Sequence, residues 1–283
     1  MKSLLKPLLL GFILFILLVP LSMIESLVRE RAHNRTIVSN DIAQTDTRPQ
    51  QVHGPWLVIE YSTSGEEKRW DKEAKQYVMT PWTRDKQMLL RPKTLSTAID
   101  LKVTHRQRGI YRVPVYASVI DLAAEFDLAP LREQLEGESK PVLGDVSVQV
   151  GVADARGFNS SPTILWNGEE LESRPGVTYA SAAQGFHTPL GDFDLSRASG
   201  TMTSRFELNG INSIEVAPSG YDSSIRMASD WPHPSFEGSF LPDHRSISEA
   251  GFEASWEVSA FASGSRLEAE AISRAGSFET PHQ

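Results

Sequence analysis

Seven histidines are the first residues to consider for chemistry, because imidazole serves both as a general base and as a metal ligand. No two of them are spaced as H-x-x-x-H or H-E-x-x-H. His233, His244 and Asp243 would form a metal site only if neighbouring strands brought them together. Scattered histidines are more often hydrogen-bonded surface or turn residues. The sequence therefore predicts no metal centre and no cofactor.

Nucleophile and carboxylate patterns are equally weak. The chain has no cysteine, which removes thiolate chemistry and disulfides, and it has no G-x-S-x-G elbow. The cluster Ser219-Gly-Tyr-Asp-Ser has the composition of a turn between strands. Glu169 and Glu170 follow a hairpin turn and are expected in solvent. We predict a protein that is not an enzyme.

The stretch from Ser229 to His244 is the densest in proline and aromatic residues. Its rings would either form a platform for a sugar or a peptide, or enter the core from a loop stiffened by proline. The density of proline and glycine favours the second interpretation. The candidate binding residues are Trp231, His233, Phe236 and Phe240.

The element that places any such site is the run from Pro7 to Ile24, which has no ionisable side chain. Its 18 residues rise about 27 Å as a helix, close to the roughly 30 Å of a bilayer core. Large side chains after the run disfavour a cleaved signal peptide. We predict a transmembrane anchor over residues 1–24, with the N-terminus in the cytoplasm and the remainder outside it.

Composition limits the partners. The net charge is −8, and the chain without Lys2 and Lys6 carries 26 basic against 36 acidic residues, or −10. Such a surface repels nucleic acid and anionic lipid headgroups, so neither is expected as a partner of the residues that follow the anchor. The expected partners are the lipid bilayer, through Pro7 to Ile24, and other envelope proteins.

Residues 25–46 keep apolar positions such as Leu27, Val28 and Ile37 at helical spacing, with charges between them. This pattern predicts a juxtamembrane amphipathic helix. Such a helix usually packs on its own domain or along the bilayer surface.

The sequence pattern of residues 47–283 predicts a β-rich domain. Short alternating runs recur between glycine, proline and asparagine, and no βαβ alternation is present. The charged stretch Glu66 to Lys75 is predicted as a hairpin loop, and Leu128 to Leu135 as a short helix. Asn167-Gly168 and Asn209-Gly210 are turn signals. The predicted fold class is mainly β, an N-terminal transmembrane helix followed by a large antiparallel β-sandwich-like extracytoplasmic domain.

Several motifs make the chain resemble the CreD family of bacterial inner-membrane proteins, described as cell envelope integrity proteins. They span nearly the whole sequence: Leu18 to Ile24, Val28 to Arg31, Asp41 to Ala43, Pro49-Gln50, Gly54-Pro55, Gly109 to Tyr111, Asp154 to Gly157, Ser229 to Pro242 and Gly251 to Trp256.

The resemblance implies a non-enzymatic inner-membrane protein with a periplasmic domain, linked to envelope integrity and stress tolerance. It transfers no catalytic residues. The alternatives from other classes are an envelope hydrolase or a glycan-binding module using the loop from Trp231 to Phe240. Family members continue into a cluster of C-terminal transmembrane helices, which the sequence up to Gln283 does not contain. The chain is therefore expected to be a short form or part of a longer protein.

Overall fold

A computed structural model of the chain describes residues 46–72, 75–179, 184–264 and 270–272, together with 12, 20, 22–34, 36–38 and 41 of the N-terminal part. The chain divides into two units. The first comprises Met1–Asp46 and His105–Val113, and the second comprises Thr47–Thr104 and Pro114–Gln283.

The described residues of the N-terminal part are helical at 22–34, 36–38 and 41. Among the residues that the structure describes, no helix combines the length and apolarity needed to cross a membrane. The predicted span from Pro7 to Ile24 lies mostly outside the described residues, so it stays a prediction, as do the boundaries at 24 and 46.

The remainder of the described chain is mainly β-structure. Its strands are β1 (Gln50–Asp71), β2 (Gln76–Leu90), β3 (Thr94–Arg108), β4 (Tyr111–Asp127), β5 (Val142–Val152), β6 (Thr163–Trp166), β7 (Glu169–Glu172), β8 (Arg174–Pro175), β9 (Gln184–Pro189), β10 (Ser199–Ile211), β11 (Ile214–Val216), β12 (Asp222–Ser229), β13 (His244–Ser248), β14 (Gly251–Val258) and β15 (Glu270–Ile272).

The strands form two sheets. One has the order β15-β2-β1-β5-β9-β8, with β11 also paired to β1. The other has the order β13-β14-β12-β3-β4-β10-β6-β7. Most neighbours are antiparallel, as predicted, but β11 runs parallel to β1 and β12 runs parallel to β3. The prediction of a mainly antiparallel body is confirmed, although each sheet also contains a parallel pair of strands.

Alternation along the described strands produces a hydrophobic core between the sheets. In β10, for example, the side chains of Met202, Ser204, Phe206 and Leu208 are buried, whereas Thr203, Arg205 and Glu207 between them are exposed. Phe186 of one sheet meets Phe206 of the other with ring centroids 5.5 Å apart. This interleaving is how two sheets bury their apolar faces against each other.

The helix Ala129–Glu136 confirms the short helix predicted after β4. Pro130 lies in its first turn, and Gly137 follows its last residue. Leu131 and Leu135 are buried in the core, so the helix covers one end of it. The helix Ala260–Ser263 is a single turn after β14.

Of the two turns predicted from Asn-Gly pairs, one is confirmed and the other is wrong. Asn167 and Gly168 both have positive φ between β6 and β7, which confirms that hairpin. Asn209-Gly210 was wrongly predicted as a turn, because β10 continues through both residues. Gly210 is required there for space, since a Cβ would lie 2.2 Å from the Tyr116 hydroxyl.

The stretch Glu66 to Lys75 was also wrongly predicted to be a loop throughout. Residues up to Asp71 belong to β1, and they pair with β2 in an unbroken register that ends at Asp71↔Gln76. Charged side chains are accommodated because both faces of this part of the hairpin are largely exposed.

Candidate functional site

The proline-rich segment, residues 230–243, is a loop that links β12 to β13 beside β14. Phe236 packs edge-on against Phe252 and Trp256 of β14, with centroid distances of 5.5 and 5.7 Å. The Trp256 Nε1–H donates to the Phe240 carbonyl at 3.2 Å. The loop therefore packs against β14.

The four candidate binding residues of this loop do not share one environment. Trp231 and Phe236 are half-buried and pack against the core, whereas His233 is exposed and Phe240 is half-buried. The Trp231 Nε1–H donates to the His233 carbonyl at 2.8 Å, and the two rings meet edge to face. The geometry uses two of the rings for packing, and a binding role for the four stays a prediction.

Asp230 and Asp243, the first and last residues of the loop, fix its ends by accepting backbone hydrogen bonds. Asp230 accepts a hydrogen bond from the Val103 N–H at 3.0 Å, and Asp243 accepts one from the Glu257 N–H at 2.7 Å. Within the part of the chain that the structure describes, no three His, Asp or Glu side chains group as a metal site.

The other chemical candidates of the sequence are placed as follows. Ser219 is buried in the predicted turn, where its hydroxyl accepts from the Gly54 N–H and donates to the Ala217 carbonyl. Glu169 and Glu170 are exposed on β7 beside its turn.

Sequence reasoning missed a second candidate surface, which we call the ribbon tip and define as Lys68–Asp71 of β1 with Gln76–Met79 of β2. Trp70, Tyr77 and Met79 are 50%, 62% and 57% exposed there. Trp70 and Tyr77 are register partners whose rings meet edge to face at 5.1 Å. Lys68 lies over the Tyr77 ring at 5.5 Å.

The two-stranded ribbon formed by β1 and β2 has unpaired edges over its outer part. On one side β5 pairs with β1 only as far as Ser62, and on the other β15 faces only Gln87, Met88 and Leu89 of β2. No described strand pairs with either edge beyond these points. Unpaired strand edges and exposed aromatic rings are features of surfaces that receive another molecule.

The root of the ribbon is fixed by the segment that follows the helix Ala129–Glu136. Glu138 accepts hydrogen bonds from the Tyr61 hydroxyl at 3.0 Å and from Lys86 Nζ at 2.7 Å. Ser139 and Ser64 exchange two further hydrogen bonds. Burial, reinforced by the Glu138 carboxylate, raises the pKa of Tyr61 to about 12. Lys86 holds the pKa of Glu138 below its usual range.

Comparison with known proteins decides the family. The sequence model of the family described as "Inner membrane protein CreD" matches residues 2–280. The chain belongs to the CreD family. It is also 33% identical over 251 residues to Inner membrane protein CreD of Escherichia coli (strain K12).

That alignment covers 87% of this chain and 53% of the relative, so the chain spans about half the length of the curated CreD protein that it matches. Membership of the CreD family confirms the resemblance derived from the motifs and supports an inner-membrane location.

Two motifs of the CreD resemblance, Pro49-Gln50 and Asp154 to Gly157, meet at the start of β1. The Gln50 side-chain amide donates to the carbonyls of Asp154 and Asn209, and its carbonyl accepts from the Asp154 N–H. The Asp154 carboxylate accepts from the Arg48 N–H at 3.1 Å and pairs with the Arg156 guanidinium at 2.6 Å. A Cβ at Gly157 would lie 2.5 Å from the Gln50 amide. These residues therefore fix where the chain enters the domain.

Proposed function

We propose that this chain is a non-enzymatic inner-membrane component that supports envelope integrity and stress tolerance through protein contacts of a periplasmic β domain. Its membership of the CreD family and the uncharged run from Pro7 to Ile24 support the membrane location. The observation that carries the contact role is the ribbon tip, where Trp70, Tyr77 and Met79 are each at least half exposed.

The partner that fits the ribbon tip is a protein with an acidic face. Between Lys68 and Met79 the chain has four basic residues and two acidic ones, although its overall charge is −8. Exposed aromatic and methionine side chains surrounded by cations are enriched where proteins bind proteins. Complementary charge on the partner would orient it for contact with the rings.

A crosslinking experiment tests this contact. A photoreactive amino acid at Tyr77 in cells is expected to capture one identified envelope protein with an acidic surface. The double change Trp70→Ala and Met79→Ala should lower that yield about tenfold or more, because central aromatic contacts carry much of the binding free energy. The same variant should reduce survival under envelope-directed stress.

The matched control is Ile247 on β13, which is half exposed and distant in sequence from the ribbon. A crosslinker there should not capture the same protein, and Ile247→Ala should leave stress survival unchanged. Full survival of the ribbon-tip variant combined with loss of survival for His233→Ala would overturn the proposal in favour of the loop from Trp231 to Phe240.

A separate experiment tests on which side of the inner membrane the β domain lies. Because the sequence contains no cysteine, a single introduced cysteine can be labelled without background. Ile247→Cys in intact cells should react with a maleimide that crosses the outer membrane but not the inner membrane. Reaction only after the inner membrane is permeabilised would place the β domain in the cytoplasm and contradict the proposal.

A further inference from the structure

The first unit of the chain contains a hairpin turn with an exposed apolar residue. Gly109 and Ile110 form the turn between β3 and β4, and Ile110 is 82% exposed. Gly109 has φ +61°, and no atom lies within 4 Å of a Cβ placed on it. We call residues 105–113 the Ile110 turn.

The Ile110 turn is tied by ion pairs to the segment that follows the predicted anchor. Arg106 pairs with Asp46 at 2.7 Å, and Arg108 pairs with Asp41 at 2.5 Å. Both guanidinium groups remain more than half exposed despite these pairs. Arg112, also exposed, adds a third cation beside Ile110.

The helical part of the same unit also presents apolar side chains to solvent. Each of the following is more than half exposed: Met23, Ile24, Leu27, Val28 and Ile37. Charged residues such as Arg29 and Glu30 lie between them in the sequence. A helix of this composition is typical of the interface between headgroups and acyl chains.

Charge separates the first unit from the rest of the chain. In the first unit, residues 25–46 and 105–113 lie after the predicted anchor and contain six basic and four acidic residues, a net charge of +2. Residues 47–104 and 114–283 contain 20 and 32, a net charge of −12. An anionic surface would attract the first unit and repel the second.

We propose that the Ile110 turn binds the surface of the bilayer, with Ile110 at the headgroup level and its neighbouring arginines close to anionic phospholipid. Exposed apolar tips surrounded by arginine suit this surface because apolar burial and charge attraction add there. Family membership supports the membrane location, and the inference does not depend on the partner proposed for the ribbon tip.

The proposal also determines the direction of the helix. Asp41, the partner of Arg108, lies 17 residues after Ile24. A continuous upright helix would hold it about 26 Å beyond the membrane surface. Lipid contact by Ile110 therefore requires the segment after Ile24 to lie along the surface.

Site-specific labelling tests the proposal on the full chain reconstituted in nanodiscs. An environment-sensitive fluorophore on Ile110→Cys should be quenched by spin-labelled lipid at least twofold more in discs with phosphatidylglycerol than in discs of phosphatidylcholine alone. The matched control is the same fluorophore on Ile247→Cys, which should show little quenching in either disc.

Equal quenching at positions 110 and 247 in the anionic discs would overturn the inference and leave an upright segment. Quenching at 110 that is the same in both lipids would overturn the role of the arginines. Arg112→Gln, which alters no described ion pair, should reduce the difference between the two lipids and leave the fold unchanged.

Discussion

Asp154 is a buried carboxylate on which the start of β1 depends. Its side chain is only 4% exposed. Burial alone would raise its pKa, but hydrogen bonds from Arg156 and from the Arg48 N–H outweigh burial and hold the pKa below the usual value. Because folding favours the charged form, this stabilisation is complete above the unfolded pKa of about 4 and is lost as the pH falls through the folded one.

Asp154→Asn should therefore lower the free energy of unfolding by about 1.5–3 kcal/mol at neutral pH, since it removes hydrogen bonds to a charged acceptor. The loss should shrink as the pH falls below about 4, because the unfolded carboxylate then binds a proton before the folded one does. Denaturant unfolding of parent and variant at pH 7 and pH 3 measures both effects.

The matched control is Asp121→Asn, which alters a solvent-exposed pair with Arg205 at 3.3 Å. Its effect should be under about 1 kcal/mol at pH 7, because exposed pairs stabilise little. An Asp154 variant no less stable than the Asp121 control would show that the motif Asp154 to Gly157 does not fix the start of β1.

Glu138 at the root of the ribbon accepts hydrogen bonds from Tyr61 and Lys86 and so joins β1 to β2. Glu138→Gln keeps the side-chain size but removes the charge that disfavours tyrosinate formation. The pKa of Tyr61 should fall from about 12 yet stay above 10, because burial is the larger cause of its elevation. Since folding raises this pKa, its stabilisation is present below pH 10 and is lost as the pH rises towards 12.

Tyrosine ring carbon chemical shifts, followed against pH, measure this change. Tyr61→Phe in the same background assigns the signal. If Tyr61 titrates at the same pH in Glu138→Gln as in the parent, the carboxylate does not act on the hydroxyl and the observed 3.0 Å contact does not persist in solution.

The elements that local pattern determines were the ones that the sequence predicted correctly. Alternating apolar residues identified β3, β5 and β14, and Asn167-Gly168 identified a hairpin, because side-chain period and positive φ are local properties. The ribbon was missed because charge in Glu66 to Lys75 resembles a loop, while its strand partner is visible only in the register. Gly210 was taken for a turn residue for the same reason. It is needed to leave space for the Tyr116 side chain, which is remote in sequence.

For the fold of the chain, the sequence predicted a mainly β body but not the order of strands in its sheets. The parallel pairing of β12 with β3 joins residues more than 120 positions apart. Alternation reports which face of a strand is buried and not which strand lies beside it. The candidate surfaces differ in the same way. The proline-rich loop could be recognised from composition, whereas the ribbon tip and the Ile110 turn could be recognised only from the exposure of their side chains.

The position of β1 between its neighbours has a mechanical consequence. β1 extends over 22 residues, and it pairs along its length with β11, β5 and β2. Tension applied at residue 47 along this strand would load these ladders in shear, so that many hydrogen bonds must break together rather than one after another. The Gln50 contacts lie where that tension arrives first, which makes the domain suited to resist a pull on the chain that precedes it.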